Sequence, residues 1–180
     1  MSHRKALSIL FVMLFLLAAS IPVKAARAST VKGSLPTIIS IPKINKTAKI
    51  IPVGVTATGN LDVPHNFVQA GWYKYGTAPG EKGSTVIDGH VDNGGSIAGV
   101  FKKLHELAAG DIINVSNTAG KVLRYEVTAT NVYATSAFPS EQIFADNGQA
   151  LLKIITCYGT FLPKEGTYDR RLVVTAALVS

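Results

Sequence analysis

The chain alternates between short apolar runs, many of them rich in β-branched residues, and turns rich in glycine, proline and asparagine. Runs of this length, bounded by turn residues, predict the strands of an all-β sandwich or barrel. The predicted strands are Thr37–Ile41, Lys49–Val55, Ser84–Ile87, Asp111–Ser116, Val122–Tyr133, Leu151–Thr156 and Leu172–Val179. A single mainly β domain over residues 37–180 is therefore expected.

The predicted strands differ in burial pattern. Val122–Tyr133 alternates apolar and polar residues, which is typical of a strand exposed on one face, whereas Leu151–Thr156 and Leu172–Val179 are more continuously apolar and are expected at the centre of the sheet. Helical periodicity is confined to Ile97–Leu107, which predicts an amphipathic helix, and to Ser140–Phe144, which predicts the start of a short one.

The first 28 residues have the polarity of an export segment. Arg4 and Lys5 precede a charge-free apolar run, and Ala26-Arg27-Ala28 offers a small-x-small cleavage site. The apolar run also just reaches the length of a membrane span. Residues 1–28 are thus predicted to be either a cleaved signal or a retained membrane anchor, and residues 29–36 a linker. In both cases the body is expected outside the cytoplasm.

The formal net charge of +7 does not point to nucleic acid. Four of the basic residues lie in the export segment, which contains no acid, so the rest of the chain is only modestly basic. The body lacks the dense basic stripe that a phosphate backbone requires. Nucleic acid is therefore not expected as a partner.

The single cysteine excludes an internal disulfide framework and a zinc cage of several thiolates. A lone exported thiol indicates a reactive group, although a buried, inert cysteine is the alternative. Cys157 directly follows a predicted central strand. His90 also follows a predicted strand and precedes a glycine-rich stretch, and Arg170 and Arg171 open the last predicted strand.

Cysteine, histidine and arginine together suit acyl transfer. The thiolate is a nucleophile, an imidazole moves the proton to a leaving amine, and a guanidinium stabilises negative charge on a carbonyl oxygen. Each residue also has a structural interpretation. His90 is open to a role in a turn, the arginine pair to a role at a sheet edge, and His65 and His105 are expected to be structural or solvated.

Several segments, in order along the chain, form a recognisable series. They are Ile41-Pro42-Lys43-Ile44, Pro52-Val53-Gly54, Gly71-Trp72-Tyr73, Val86-Ile87-Asp88-Gly89-His90, Phe101-Lys102-Lys103-Leu104 followed by Leu107 and Gly110-Asp111-Ile112, Leu152-Lys153-Ile154-Ile155-Thr156-Cys157 and Arg171-Leu172-Val173-Val174. This series resembles the sortases, the cysteine transpeptidases of Gram-positive surfaces, and its compact length resembles their small D/E/F-like classes.

The resemblance implies a closed β-barrel of about eight strands with short helices and 3₁₀ turns. It implies Cys157 as nucleophile, His90 as general acid or base and Arg171 as the oxyanion donor. Arg171 is preferred to Arg170 because it has the family's spacing to the apolar run. Successive strand residues face opposite sides, so only one of the two arginines can point at Cys157.

The implied chemistry is attack of the thiol on an LPXTG-like sorting motif of surface proteins. A thioacyl intermediate then passes to an amine of a cell-wall precursor. No cofactor and no metal is expected. The stretch Ala134–Ala150 is expected either to form an apolar wall for the peptide or to be core packing, and Tyr158–Asp169 is expected to be a long loop that gates access.

Two other functions compete with this one. An L,D-transpeptidase also uses a cysteine, but that family keeps its histidine close ahead of the cysteine in one motif, unlike His90 and Cys157. A wall-associated β binding module with an inert cysteine is the non-enzymatic alternative.

Overall fold

The computed structural model describes residues 34–146 and 148–180, which contain eight strands in one closed barrel. The prediction of a mainly β, closed barrel of about eight strands is confirmed. The strands are β1 (Pro36–Ile41), β2 (Lys46–Val53), β3 (Ala70–Tyr73), β4 (Gly83–Asp88), β5 (Ile112–Asn117), β6 (Val122–Ala134), β7 (Ala150–Leu162) and β8 (Thr167–Leu178). One α-helix, α1 (Ser140–Phe144), matches the predicted short helix, and 3₁₀ turns lie at Pro42–Ile44, Leu104–Glu106 and Thr135–Ala137.

The order of strands around the barrel is β1-β2-β3-β4-β7-β8-β6-β5. Strands β4 and β7 are parallel neighbours, while β7 and β8 form a long antiparallel pair. Strand β7 therefore lies between β4 and β8, and β8 lies between β7 and β6, which confirms the central positions predicted from their apolar runs. The three neighbours β4, β7 and β8 carry the candidate site residues or lead directly into them.

The barrel interior is filled by one apolar cluster to which all eight strands contribute. Alternate residues of each strand point inward, as in β7, where Leu152 and Ile154 are fully buried. Strand β6 shows the predicted alternation over its first half, with Leu123, Tyr125 and Val127 buried and their neighbours exposed.

A second, smaller cluster covers the outer face of the barrel. Val86 of β4, Ile155 of β7 and Val173 of β8 pack there against Ile143 of α1. The buried Lys153 fastens this helix to the sheet, because its Nζ donates to the carbonyl oxygens of Gln142 at 2.8 Å and Ile143 at 2.9 Å. The outer face of β4, β7 and β8 is thus partly roofed, and the uncovered remainder forms the floor of a cleft.

Two predicted elements are wrong or missing. Strand β3 has only four residues, including Gly71, too short for the pattern to identify as a strand by itself. The predicted helix Ile97–Leu107 is reduced to the 3₁₀ turn Leu104–Glu106, because N–H groups within it donate to other segments. Gly99 donates to the carbonyl oxygen of Val91 at 2.8 Å and Phe101 to that of His90 at 2.9 Å.

The ends predicted for the two central strands are also wrong. Strand β7 continues through Cys157 to Leu162 and β8 begins at Thr167, so the expected long loop is only a turn between two extended strands. Gly159, which suggested a strand end, instead lies at an irregularity in the pairing with φ +88°, a conformation that favours glycine. Cys157 is therefore held within a strand.

The predicted export segment and most of the predicted linker lie outside the described residues. Strand β1 begins at Pro36, one residue before the predicted strand start. Within residues 34–146 and 148–180, no helix has the length and apolar character needed to cross a membrane.

Candidate active site

A cleft of about 1020 Å³ opens on the outer face of β4, β7 and β8. Cys157, His90 and Arg171 all line it, so folding brings together the three residues singled out from distant parts of the sequence. Cys157 is only partly buried, which leaves its sulfur within reach of a ligand in the cleft.

Strand pairing places Arg171 directly opposite Cys157. The two are Cα partners in the antiparallel β7–β8 register, and cross-strand partners share one face of a sheet. Arg170 pairs instead with Tyr158, so its side chain leaves from the opposite face, where it lies 3.7 Å from the carboxylate of Asp169. Arg171 lines the cleft, and Arg170 is not among the described residues that do so.

Hydrogen bonds to neighbouring oxygens hold the Arg171 guanidinium in place. Its Nη1 donates to Thr135 Oγ1 at 3.1 Å and to the carbonyl oxygens of Tyr168 and Arg170 at 3.0 Å, and its Nη2 donates to Thr167 Oγ1 at 3.0 Å. All four acceptors are neutral. Among the described residues no acid forms an ion pair with this guanidinium, so its positive charge stays available to the cleft.

His90 is positioned by the parallel pairing of β4 with β7. Asp88 lies beside Ile155, and continuing this register by two residues sets His90 level with Cys157. The intervening Gly89 is fastened to β7 on both sides: its N–H donates to the Ile155 carbonyl at 3.2 Å and its carbonyl accepts from Thr156 Oγ1 at 2.8 Å.

The orientation of the His90 ring is defined by two contacts. Its Nε2 lies 2.8 Å from the carbonyl oxygen of Pro64, and the Phe67 ring packs on it with 4.3 Å between ring centroids. Because a carbonyl oxygen only accepts hydrogen bonds, Nε2 must carry a hydrogen to make this contact. In the neutral imidazole, Nδ1 is then the nitrogen with a free lone pair, and it is the one suited to take a proton.

Burial raises the pKa of the Cys157 thiol above its usual value. The positive charge of Arg171 opposes this shift, as do hydrogen bonds from Thr167 and the backbone of Tyr168, while the Asp92 carboxylate adds to it. The sequence argument requires either a lowered thiol pKa or a nearby base. Since the pKa is raised, a base in the cleft has to remove the proton.

The sequence analysis missed a polar cluster beside His90. Asp92 accepts hydrogen bonds from Lys102 Nζ and from the Tyr168 hydroxyl, each at 2.5 Å, and from the N–H of Gly94 at 2.8 Å. Burial opposes ionisation of Asp92, but these bonds, that of Lys102 foremost, hold its pKa below the usual range. Its hydrogen bond raises the pKa of Tyr168 to about 12. The cluster ties the segment after His90 to β8.

Asp88 is a second residue that the sequence analysis did not select. It lines the cleft yet is only 4% exposed, and its Oδ1 has no hydrogen-bond partner. Burial, reinforced by the nearby Asp62 carboxyl, raises the pKa of Asp88 to about 8. The only visible signal was an acid immediately before Gly89-His90, at a position where strand ends often carry polar residues.

The remaining candidates lie away from the cleft or divide between two roles. His65 and His105 are exposed, and neither is among the described residues that line the cleft. In the stretch expected to be wall or core, Phe138 and Phe144 line the cleft while Ile143 is buried in the outer cluster. The described residues contain no group of three or more His, Cys, Asp or Glu side chains arranged to hold a metal ion.

Comparison with known proteins agrees with this architecture. A family profile described as the sortase domain matches residues 39–179. Sortase C-1 from Actinomyces oris superimposes with a TM-score of 0.63 at 26% identity, covering 80% of this chain and 73% of that one. Sortase A from Corynebacterium diphtheriae gives 0.61 at 24% identity, and this chain spans only 61% of its length while 81% of this chain is covered.

A sortase D5 transpeptidase from Clostridium perfringens also matches, with a TM-score of 0.58, 24% identity and coverage of 82% of this chain and 79% of that one. No curated protein matches the chain by sequence. The solved neighbours carry class C, A and D names, so the expected D/E/F-like subtype stays a prediction.

The family match covers nearly the whole described barrel and sets aside both competing functions, the L,D-transpeptidase and the non-catalytic binding module. The chain belongs to the sortase family of cysteine transpeptidases.

Proposed function

We propose that this enzyme cleaves an LPXTG-like sorting motif of surface proteins through a thioacyl intermediate on Cys157 and transfers the protein to an amine of a cell-wall precursor. The observation that carries the proposal is the shared cleft. A thiol, an imidazole and an uncompensated guanidinium from three neighbouring strands or strand ends line one cavity of about 1020 Å³. Acyl transfer needs these three groups.

In the first half-reaction the Cys157 sulfur attacks the carbonyl carbon of the scissile peptide bond. The thiol proton passes to His90 and from there to the departing amine, so a carbon–sulfur bond replaces the carbon–nitrogen bond. The guanidinium of Arg171, held by neutral oxygens at about the level of the sulfur, stabilises the negative charge that develops on the carbonyl oxygen.

In the second half-reaction the acceptor amine attacks the thioester carbonyl. A carbon–nitrogen bond forms, the carbon–sulfur bond breaks, and the proton lost by the amine passes through His90 back to the thiolate of Cys157. No oxidant, reductant or metal enters this balance. The apolar side chains of Phe138 and Phe144 along the cleft support an extended peptide and help to keep water away from the thioester.

The location and domain organisation follow from the same proposal. Sorting signals and cell-wall amines meet outside the cytoplasm, so the barrel of residues 37–180 is proposed to be the catalytic domain at the cell surface. Residues 1–28 are proposed to direct export, as a cleaved signal or as a retained anchor, with residues 29–36 as the linker.

The central test is to detect the intermediate. The purified full chain is incubated with an LPXTG-type peptide, with and without a primary amine, and analysed by mass spectrometry. We expect an acyl adduct on Cys157 that disappears when the amine is added and the transpeptidation product forms. Turnover that persists in Cys157→Ala, or a wild-type chain that never forms the adduct or product, contradicts the proposal.

The two adjacent arginines provide a matched control for the role of Arg171. We expect Arg171→Ala to lower kcat/KM by roughly a hundredfold to a thousandfold, the usual effect of losing one oxyanion donor. Arg170→Ala removes the same charge from the opposite face of β8 and is expected to stay within a few-fold of wild type. The reverse result assigns the oxyanion role to Arg170.

A further inference from the structure

The cleft floor contains an acid for which the proposed mechanism has no use. Asp88 ends β4 on the same face as Cys157, because both belong to the set of residues that points away from the barrel interior. It is 4% exposed, and its Oδ1 is buried without a hydrogen-bond partner. A buried polar atom left unpaired is destabilising, so its retention in a ligand cleft needs an explanation.

The surroundings of Asp88 lack a counter-charge. The nearest charged group acting on it is a second acid, Asp62, whose carboxylate disfavours ionisation of Asp88. The ion pairs among the described residues join Lys102 to Asp92 and Arg170 to Asp169, and neither reaches this pair of acids. A neutral donor satisfies one oxygen, but only a cation also relieves the repulsion between the two carboxylates.

The register of the sheet places Asp88 at a definite distance from the reacting sulfur. Asp88 lies beside Ile155 in the parallel pair, and Cys157 is two residues further along β7. With strands about 4.8 Å apart and a rise of about 3.3 Å per residue, the two Cα atoms are roughly 8 Å apart. An extended peptide covers this distance in two to three residues.

The apolar side of the cleft indicates which part of the substrate lies over Asp88. Tyr73 and Phe144 line the cleft, and Val86 and Ile155 of the outer cluster flank Asp88 in β4 and β7. These side chains suit the leucine and proline of the proposed motif, so the acyl half of the peptide runs over Asp88. Of the second and third residues before the scissile bond, the third is proline, which has no side-chain donor.

We propose that Asp88 is a specificity-determining residue that binds a lysine or arginine side chain at the variable position of the LPXTG-like motif. The inference rests on the proposed function and adds to it a preference at the one position that the motif leaves open. Substrate binding provides the cation that the two acids lack, and Asp88 accepts a charge-assisted hydrogen bond from it.

The test compares peptides that differ only at the variable position. The purified full chain is assayed with LPXTG-type peptides in which this residue is lysine, arginine, norleucine or glutamate. We expect kcat/KM for lysine and arginine to exceed that for norleucine roughly tenfold or more, the effect of one hydrogen bond between charged groups, and glutamate to be the poorest.

Two variants locate the preference. In Asp88→Asn the ratio of kcat/KM for lysine to that for norleucine is expected to fall to near one, and this ratio does not depend on the absolute activity of the variant. Glu81→Gln, which removes the same charge from an exposed residue outside the cleft, is expected to keep the wild-type ratio. An unchanged ratio in Asp88→Asn overturns the assignment.

A pH series on the wild-type enzyme provides a test that needs no folded variant. The pKa of Asp88 is about 8 in the free protein, raised by burial and by Asp62, so a lysine peptide must displace its proton to form the ion pair. The lysine-to-norleucine ratio should therefore increase as the pH rises toward 8 and then level off. A ratio near one at every pH overturns the inference, whereas a chain that cleaves none of the peptides and forms no adduct on Cys157 overturns the proposed function itself.

Discussion

Replacing Asp88 by asparagine should stabilise the folded protein, and the gain should depend on pH in a defined direction. In the unfolded chain this carboxyl ionises near its usual pKa of 3.8, whereas burial and the nearby Asp62 raise the pKa to about 8 in the folded protein. Between these values the unfolded state is ionised and the folded state is protonated. Raising the pH through this window therefore favours unfolding of the wild-type chain.

The expected magnitude follows from the size of the shift. One pKa unit corresponds to about 1.4 kcal/mol, so between about pH 5 and pH 8 the wild-type carboxyl loses about 4 kcal/mol of stability relative to asparagine, which does not ionise. The buried amide of asparagine has its own hydrogen-bonding deficit. That deficit does not change with pH, so it cancels when the difference between the two proteins is compared across the range.

The assay is urea unfolding followed by fluorescence of Trp72, the single tryptophan, which is 2% exposed in the barrel core. The full chain, Asp88→Asn and Glu81→Gln are measured at several pH values from about 5 to 8. The free-energy advantage of Asp88→Asn should grow steadily with pH, and Glu81→Gln should parallel wild type. An advantage that stays flat across the range would refute the reasoning that Asp88 is held protonated by burial.

Three further substitutions test other parts of the site and its supports. Arg171→Ala should slow alkylation of Cys157 by iodoacetamide near pH 8 about three- to tenfold, because the lost positive charge lets the thiol pKa rise further, and Arg171→Lys should largely restore the rate. Lys153→Met leaves two carbonyl oxygens of the roofing helix without their donor and should lower the free energy of unfolding by about 1–3 kcal/mol, measured in urea. Gly71→Ala places a Cβ against Asp88 Oδ1, inside van der Waals contact, and should destabilise the barrel by about 1–3 kcal/mol, so a neutral result in the same assay contradicts the close packing at this point.

The apolar pattern predicted most of the barrel because each strand has its own local signal. Seven of the eight strands were identified, and the two most continuous apolar runs are the central strands β7 and β8. Strand β3 was missed because four residues carry too little periodicity. It forms through pairing with its neighbours, parallel to β2 and antiparallel to β4, and such non-local pairing leaves no trace in the local pattern.

The errors around Cys157 have a related cause. The Tyr158-Gly159 pair resembles a strand end, yet the chain continues as strand because Asp169 of β8 compensates for the irregularity. Its Oδ1 accepts the backbone N–H of Thr160 at 2.7 Å. The partner lies across the hairpin, and only the paired strand reveals that the glycine belongs to a bulge rather than to a loop.

For the candidate site, the choice of residues came from two kinds of information. Acyl-transfer chemistry and the family resemblance together selected Cys157 and His90, and strand alternation limited the oxyanion donor to one arginine of the pair. The register then places Arg171, rather than Arg170, opposite the cysteine. Asp88 was not selected because its importance lies in burial without a partner, and that depends on Gly71 of β3, the strand that the pattern could not identify.

The outer face of β4, β7 and β8 contains two buried ionisable groups whose consequences differ. Lys153 gives its hydrogens to the last carbonyl oxygens of α1 and so fastens the cleft roof, whereas Asp88 keeps an unpaired oxygen in the cleft floor. The first explains how the cleft keeps its shape, and the second has no structural benefit in the free protein. A destabilising group is expected at a site where binding, rather than folding, uses it. Stabilisation by Asp88→Asn together with loss of selectivity for a cationic substrate residue would be the signature of that exchange.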